Sequence, residues 1–252
     1  FIIMSSTFEL IEPFAFCQCD HLESIHISGT DKVTLGKNSF AMAILLTNIA
    51  ISCNELIIDD SCFQKCDSIS SLSLPFTKIS VGSLSFFGCH KLNAFSVPKA
   101  TSVEIKDHGF SCLNKLDSII LKTEHYSFSI ESFDNCSSVS SIYFNTFDDI
   151  NSNLLKNFSS LRVLNLSSLS TLTITRSSLT DKKDIKELIL RSRNLILEEG
   201  CFKNLENLSN IEMICENKIN FASDAFENCK SLKVFKYISQ KGFKVSEKIK
   251  LA

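Results

Sequence analysis

Apolar residues recur along this chain with a fixed long period and a fixed short one. Ten residues anchor the long period: Phe16, Phe40, Phe63, Phe86, Phe110, Phe133, Leu155, Leu179, Phe202 and Phe226. They are spaced 22 to 24 residues apart. Six residues after each anchor stand Leu22, Leu46, Ile69, Leu92, Leu116, Val139, Leu161, Ile185, Leu208 and Leu232. Nine after stand Ile25, Ile49, Leu72, Phe95, Ile119, Ile142, Leu164, Leu188, Ile211 and Phe235. Eleven after stand Ile27, Ile51, Leu74, Val97, Leu121, Phe144, Leu166, Leu190, Met213 and Tyr237. All thirty are apolar or aromatic in a chain that is 44% hydrophobic, a coincidence of roughly one in 10^11 by chance.

The positions nine and eleven after each anchor alternate with variable residues, as along a half-buried strand. A second alternating pair precedes most anchors by seven and five residues. Examples are Val33 and Leu35, Ile79 and Val81, Leu172 and Ile174, and Leu195 and Leu197. Each repeat therefore predicts a strand, a turn, a second short strand and a short helical turn starting at the anchor. One such unit cannot bury its own apolar face, so the repeats must stack. With no internal linker, residues 1–252 read as a single domain of about ten repeats.

The pattern weakens near the middle. Leu155 and Leu179 replace Phe, and Asp148 stands where a strand apolar is expected. A bend or bulge and ordinary drift between repeats both account for this. The final coil runs to Lys250–Leu251–Ala252 without a polar cap, which suggests that the natural chain continues or that the coil frays. The chain also opens with Phe1 rather than Met, as a piece of a longer protein would.

The composite repeat is Leu-x-x-Ile-x-Ile, then Ile-x-Ile, then Phe-x-x-Cys-x-x-Leu. Its clearest copies are Phe63 to Ile69, Phe86 to Leu92 and Phe226 to Leu232. Pro75 and Pro98 follow their strand pairs directly, and glycine follows the second strand at Leu35–Gly36 and Val81–Gly82. The pattern resembles the BspA-type leucine-rich repeat over nearly the whole chain, though with few Gly and Pro. The fold this implies is an α/β leucine-rich-repeat solenoid, a β-rich horseshoe. Its parallel sheet would line the concave face, with short strands and helical turns on the convex side. Proteins of this family are mostly surface or secreted antigens and adhesins of bacteria and protozoan parasites. The resemblance thus implies a protein-interaction or adhesion module, on the cell surface or secreted, whose partner is a protein of a host or other extracellular surface. An intracellular scaffold with the same architecture, in the cytoplasm, is the alternative.

Composition narrows the chemistry. A formal charge of -2 gives no general case for nucleic acid. The longest apolar run, Ala41 to Ile51, is too short for a membrane span. Five of eleven cysteines, Cys19, Cys66, Cys89, Cys136 and Cys229, share the position three after the anchor. Ala43, Leu113, Lys182, Leu205 and Phe158 fill it in the other repeats, a mostly apolar set, so the slot reads as buried and the cysteines as free thiols. A disulfide between Cys66 and Cys89 has a conceivable separation but side chains pointing the same way. Cys17, Cys19 and His21 are close in sequence, but no second ligand pair completes a zinc site. No nucleophile elbow, phosphate-binding loop or metalloprotease helix occurs, and the five His fall on different faces. No enzyme activity, metal or cofactor is therefore expected. The sequons at Asn135, Asn157, Asn165 and Asn207 are about as many as chance supplies, and say nothing of secretion.

In a curved solenoid the outward residues of the main sheet form the extended binding surface. Eight, ten and twelve residues after the anchors, the early coils offer small uncharged side chains. The later coils offer Ile120, Tyr143 and Ile189 among Lys122, Asn165, Arg191, Glu187 and Glu212. Apolar and aromatic groups ringed by charge have the composition of a contact patch. Ile120, Lys122, Tyr143, Asn165, Ile189 and Arg191 are thus the candidate partner-binding residues. Strand propensity alone also places Ile on an exposed sheet.

Overall fold

The computed structural model describes residues 2–5, 9–28, 31–180, 182–217, 219–221, 224–241 and 243–245. The end of the last coil, Lys250–Leu251–Ala252, lies outside the described residues. The chain groups into two compact units, Phe1–Ser138 and Val139–Ala252.

In the first unit, stacked coils contribute β1 (Ile2–Ser5), β2 (Leu10–Ile11), β3 (Ser24–Ser28), β4 (Lys32–Leu35), β5 (Asn48–Ser52), β6 (Glu55–Ile58), β7 (Ser71–Ser73), β8 (Lys78–Val81), β9 (Ala94–Ile105) and β10 (Ser118–Phe128). One ladder runs β1–β3–β5, another β2–β4–β6–β8–β9–β10, and β7 pairs with the start of β9. The second unit holds β11 (Ser141–Thr146), β12 (Ile150–Asn151), β13 (Val163–Ile174), β14 (Glu187–Leu197), β15 (Asn210–Cys215), β16 (Ile219–Phe221), β17 (Val234–Ser239) and β18 (Phe243–Val245). Its main ladder is β11–β13–β14–β15–β17; β12 pairs with β13 and β16 with β18. Among the described residues the strand pairings given are parallel, so each unit is a parallel-strand solenoid.

The register is the one the repeat requires. Leu164 pairs with Leu188, Leu188 with Ile211, and Ile211 with Phe235. Equivalent side chains therefore form internal columns. Of the thirty patterned positions, all are buried except Ile49, Ile51, Leu232, Phe235 and Tyr237, which are half-buried. Anchor rings stack face to face, Phe16 on Phe40, Phe40 on Phe63, Phe63 on Phe86 and Phe86 on Phe110, with centroids 4.8 to 5.5 Å apart through Phe133. Phe202 and Phe226 repeat the stack in the second unit. Each such pair contributes about 0.5–1.5 kcal/mol beyond its area burial.

The helical part of the α/β expectation needs correction. Among the described residues there is no α-helix. Single 3-10 turns occur only at Ile130–Phe133, Ser152–Leu155 and Arg176–Ser178. Elsewhere the anchor sits in a run of β-turns. Asn38, Phe40 and Met42 donate their N–H groups to Asp60, Cys62 and Gln64 one coil on. The intervening Ser39, Ala41 and Ala43 donate three residues back, to Gly36, Asn38 and Phe40. An α-helix would send every N–H four residues back and leave neighbouring coils unbonded. The alternation needs left-handed residues on both sides of the anchor. Phe14 and Gln18, Asn38 and Met42, Ser61 and Lys65, and His108 and Cys112 supply them, with φ between 54° and 62°.

The weak middle of the repeat is a local irregularity. The chain bends at Phe147 and Asp148, and β12 keeps only two residues. The buried Ser168 Oγ donates to the Asp148 carbonyl across 2.6 Å, fixing the bend. The merged strands β9, β10, β13 and β14 join the two predicted short strands of one coil. Their register shifts between Leu121 and Thr123 and between Ser168 and Thr171.

Candidate functional site

The outward residues of the second unit's main ladder form straight rows. Tyr143 on β11, Asn165 on β13, Ile189 on β14, Glu212 on β15 and Lys236 on β17 are successive register partners. A parallel row holds Asn145, Ser167, Arg191, Ile214 and Ile238. Period-two alternation turns these side chains out while Leu164, Leu166, Leu188 and Leu190 turn in. Tyr143 and Ile238 are exposed; Asn165, Ile189, Arg191 and Ile214 are half-buried by their neighbours.

Of the six candidate residues, Tyr143, Asn165, Ile189 and Arg191 thus share one face. Ile120 and Lys122 lie on β10 in the first unit, where Ile120 pairs in register with Ser96. Ile120 is half-buried and Lys122 exposed.

Charge on this face is organised around Glu212. Its carboxylate accepts from Arg191 Nη2 across 2.6 Å and from Lys236 Nζ across 2.9 Å. These two cations, Lys236 first, hold the Glu212 carboxyl below its ordinary pKa. At the strand ends, Ser167, Ser168, Leu169, Arg191, Arg193, Ile214 and Ile238 surround a hollow of about 320 Å³. Arg193 there reaches Glu216 at only 3.8 Å. Arg193, Leu169 and Glu216 stand fourteen residues after their anchors, one step beyond the positions read as outward from the sequence. The signal was the exposed run Phe147, Leu169, Arg193, Glu216, Gln240 at that spacing.

The cysteine slot is not part of this face. All eleven cysteines are free. Cys66, Cys89, Cys136 and Cys229 are buried, and each thiol donates to the carbonyl of the preceding coil's anchor at 3.0 to 3.2 Å. Burial pushes Cys66 and Cys136 from an ordinary 9.0 up to about 12. In the equivalent position Lys182 is buried too, its Nζ donating to the Phe158 carbonyl across 2.9 Å. Among the described residues no group of three or more His, Cys, Asp and Glu is placed to hold a metal ion, and no helix is long and apolar enough to cross a membrane.

The model of the BspA type leucine rich repeat region matches in six copies, over residues 1–108, 56–186 and 103–233. The chain belongs to the BspA-type leucine-rich repeat family. No curated protein matches it. Among solved structures, a leucine rich cell surface protein from Faecalibacterium prausnitzii A2-165 aligns with 93% of this chain and 78% of its own. The identity is 15% and the TM-score 0.32. The apolar positions of the BspA-type repeat are the buried columns of this structure.

Proposed function

We propose that this BspA-type chain is a protein-interaction and adhesion module that engages its partner through the outward rows of the main sheet. The binding residues are Tyr143, Asn165, Ile189 and Arg191 in the second unit, with Ile120 and Lys122 in the first. The observation that carries this reading is the in-register row Tyr143–Asn165–Ile189, where an exposed aromatic and an aliphatic flank a hydrogen-bonding amide. Parallel ladders on both sides hold the row rigid, so a partner meets little ordering cost. Aromatic side chains beside charged ones are the usual carriers of interface energy. No catalytic role is assigned.

By analogy with its family, the module works on the cell surface or after secretion, against a host or other extracellular protein. A second reading has its own support: eleven free cysteines suit a reducing compartment, and so a cytoplasmic scaffold. Brief protease treatment of intact cells separates the two. Loss of the full-length protein while internal proteins survive supports the surface reading, and complete protection the scaffold.

Binding is tested by pull-down with the isolated chain and with Tyr143→Ala combined with Ile120→Ser. Both changes are outward, so the thermal midpoint should hold while partner recovery falls at least about tenfold. Undiminished recovery by a folded double variant removes the face from consideration.

A further inference from the structure

Charge is distributed unevenly along the chain. Residues 1–70 hold nine of the 28 acidic residues and three of the 26 basic ones, a formal charge of -6. The rest of the chain holds nineteen and twenty-three, or +4. Of the three early lysines, Lys32 is taken up by Glu55 at 3.1 Å. Among the described residues, Glu12, Asp20, Glu23, Asp59, Asp60 and Asp67 form no ion pair. The first coils therefore carry a net negative potential.

The anchor turns of the first unit also form a hollow of about 510 Å³. Residues two after the anchor line it, Gln18, Met42, Lys65 and Gly88, together with those four after it, Asp20, Ile44, Asp67 and His90. The N–H groups of Gln18, Met42 and Lys65 donate to the carbonyls of Ala41, Gln64 and Phe87, which holds the turns in step. Asp67 Oδ1 accepts from the His90 N–H across 3.3 Å. Ile44 thus stands between two carboxylates, each about 4.8 Å away along the stack. It is 46% exposed and the adjoining Leu45 43%, unlike the buried apolar columns. Met42 and Phe87 add half-buried apolar lining. The one lysine of the hollow, Lys65, runs beside Gly88, its Cγ 3.2 Å from where a Gly88 Cβ would stand, toward the fourth coil and away from Asp20.

We propose that this hollow is a second docking surface, on the anchor turns and separate from the sheet face, for a basic and aliphatic segment of another protein. Lysine or arginine side chains of the segment meet Asp20 and Asp67, and the aliphatic side chains between them cover Ile44 and Leu45. Two cations three residues apart in an extended segment are roughly 10 Å apart, which matches the two coil steps from Asp20 to Asp67. The field of the acidic coils steers such a segment to this end of the chain, and the aliphatic pair supplies apolar burial. A nucleic acid or an anionic membrane surface would set phosphates against the same carboxylates. A polyamine would satisfy the carboxylates and leave Ile44 and Leu45 in water.

The test uses the full chain and a fluorescein-labelled octapeptide, Gly-Ser-Lys-Leu-Leu-Lys-Ser-Gly, read by anisotropy. Two comparison peptides separate the contributions, one with Glu in place of both Lys and one with Ser in place of both Leu. The Lys–Leu peptide should saturate, bind at least about fivefold tighter than either comparison, and weaken as salt rises toward about 0.5 M. Asp20→Asn with Asp67→Asn keeps an acceptor for the His90 N–H and should weaken binding at least about fivefold at an unchanged thermal midpoint. Ile44→Ser with Leu45→Ser should do the same. Asp184→Asn with Glu199→Gln removes equal charge from exposed positions of the second unit and should leave binding alone. Tyr143→Ala with Ile120→Ser, on the sheet face, should also leave it alone. No saturable binding, equal binding of the Lys–Ser peptide, or full binding by the folded Asp20→Asn, Asp67→Asn variant each overturns the proposal. An equal loss in the second-unit or sheet-face pair overturns it as well, since the peptide would then be held by net charge or by the other face.

Discussion

The thiol of Cys66 donates a hydrogen bond to the main-chain carbonyl of Phe40, one coil back, across 3.1 Å. The same bond links Cys89 to Phe63, Cys136 to Phe110 and Cys229 to Phe202. The slot three residues after the anchor is thus more than an apolar gap. It borders the carbonyl of an anchor turn, whose N–H groups are already engaged within and between coils. Cysteine fits because it is small and apolar yet carries a weak donor. Alanine and leucine fill the slot without supplying that donor, and Lys182 reaches past it to other carbonyls.

Cys66→Ala should therefore cost about 1–2 kcal/mol, through a small cavity and a lost donor to the Phe40 carbonyl. Urea titration with an unchanged slope checks it. The pH dependence has a definite sign. Burial raises Cys66, Cys136 and Cys201 from an ordinary 9.0 to about 12. Above pH 9 the unfolded chain loses these protons and the folded chain keeps them, so stability falls as pH rises. The window runs from about 9 toward 12, with at most about 1.4 kcal/mol lost per thiol per pH unit. Below pH 9 these thiols should give no slope. In the native protein near pH 8 they should resist a thiol reagent that titrates all eleven after denaturation without reductant.

Gly82→Ala should be among the most damaging single substitutions. A Cβ there would stand 2.5 Å from the Asp60 nitrogen and 2.6 Å from the Asp59 carbonyl carbon, both backbone atoms of the preceding coil. Gly36→Ala meets the Ile11 carbonyl oxygen at 2.5 Å. Neither coil can yield without breaking its ladder, so each change should cost about 3 kcal/mol or more. At Gly88, where φ is 77°, the nearest atom is the Lys65 Cγ at 3.2 Å, part of a flexible chain. Gly88→Ala should cost only about 1 kcal/mol, mostly backbone strain. Thermal melts of the three variants rank them; equal losses would contradict the close approach of the coils.

These glycines also mark how far the sequence could be read. The strand columns were legible because burial on one face forces period-two alternation, and a one-residue slip would expose Leu92, Phe95 or Val97. The turns were not legible. Their left-handed positions are filled by residues such as Phe14, Met42 and Leu84, which carry no turn signature of their own. An apolar anchor with a mostly apolar slot three residues later reads as a short helical turn until the inter-coil bonds of Asn38, Phe40 and Met42 are seen. On the sheet face, Tyr143, Asn165, Ile189 and Arg191 followed from alternation alone. The Arg193 hollow did not, since β14 runs on past the point where the sequence suggested a turn.

His108 offers a clean measure of the strain in those turns. It is exposed, with φ of 60°, so substitutions act on the backbone and not on the core. His108→Gly relieves about 1–2 kcal/mol of left-handed strain and gives back part of it as unfolded-state entropy, for a net gain near 0.5–1 kcal/mol. His108→Val should lose about 1 kcal/mol or more, because a branched Cβ tolerates this region least. Chemical denaturation of the pair should show opposite signs. Two losses of similar size would mean that the imidazole, and not the backbone, sets the preference.

Glu212 links the stability of the sheet face to acid. Lys236 and Arg191 lower its carboxyl pKa from the ordinary 4.5, so the folded chain binds that proton less tightly than the unfolded one. Its contribution is fully present above pH 4.5 and fades as pH falls through the lower folded value. The groups are partly exposed, so the contribution should stay below about 1 kcal/mol and shrink in salt. Glu212→Gln should flatten the acid limb of the stability curve without moving the neutral plateau by more than that amount. An unaltered acid limb would show that the two contacts to Glu212 hold no net free energy in solution.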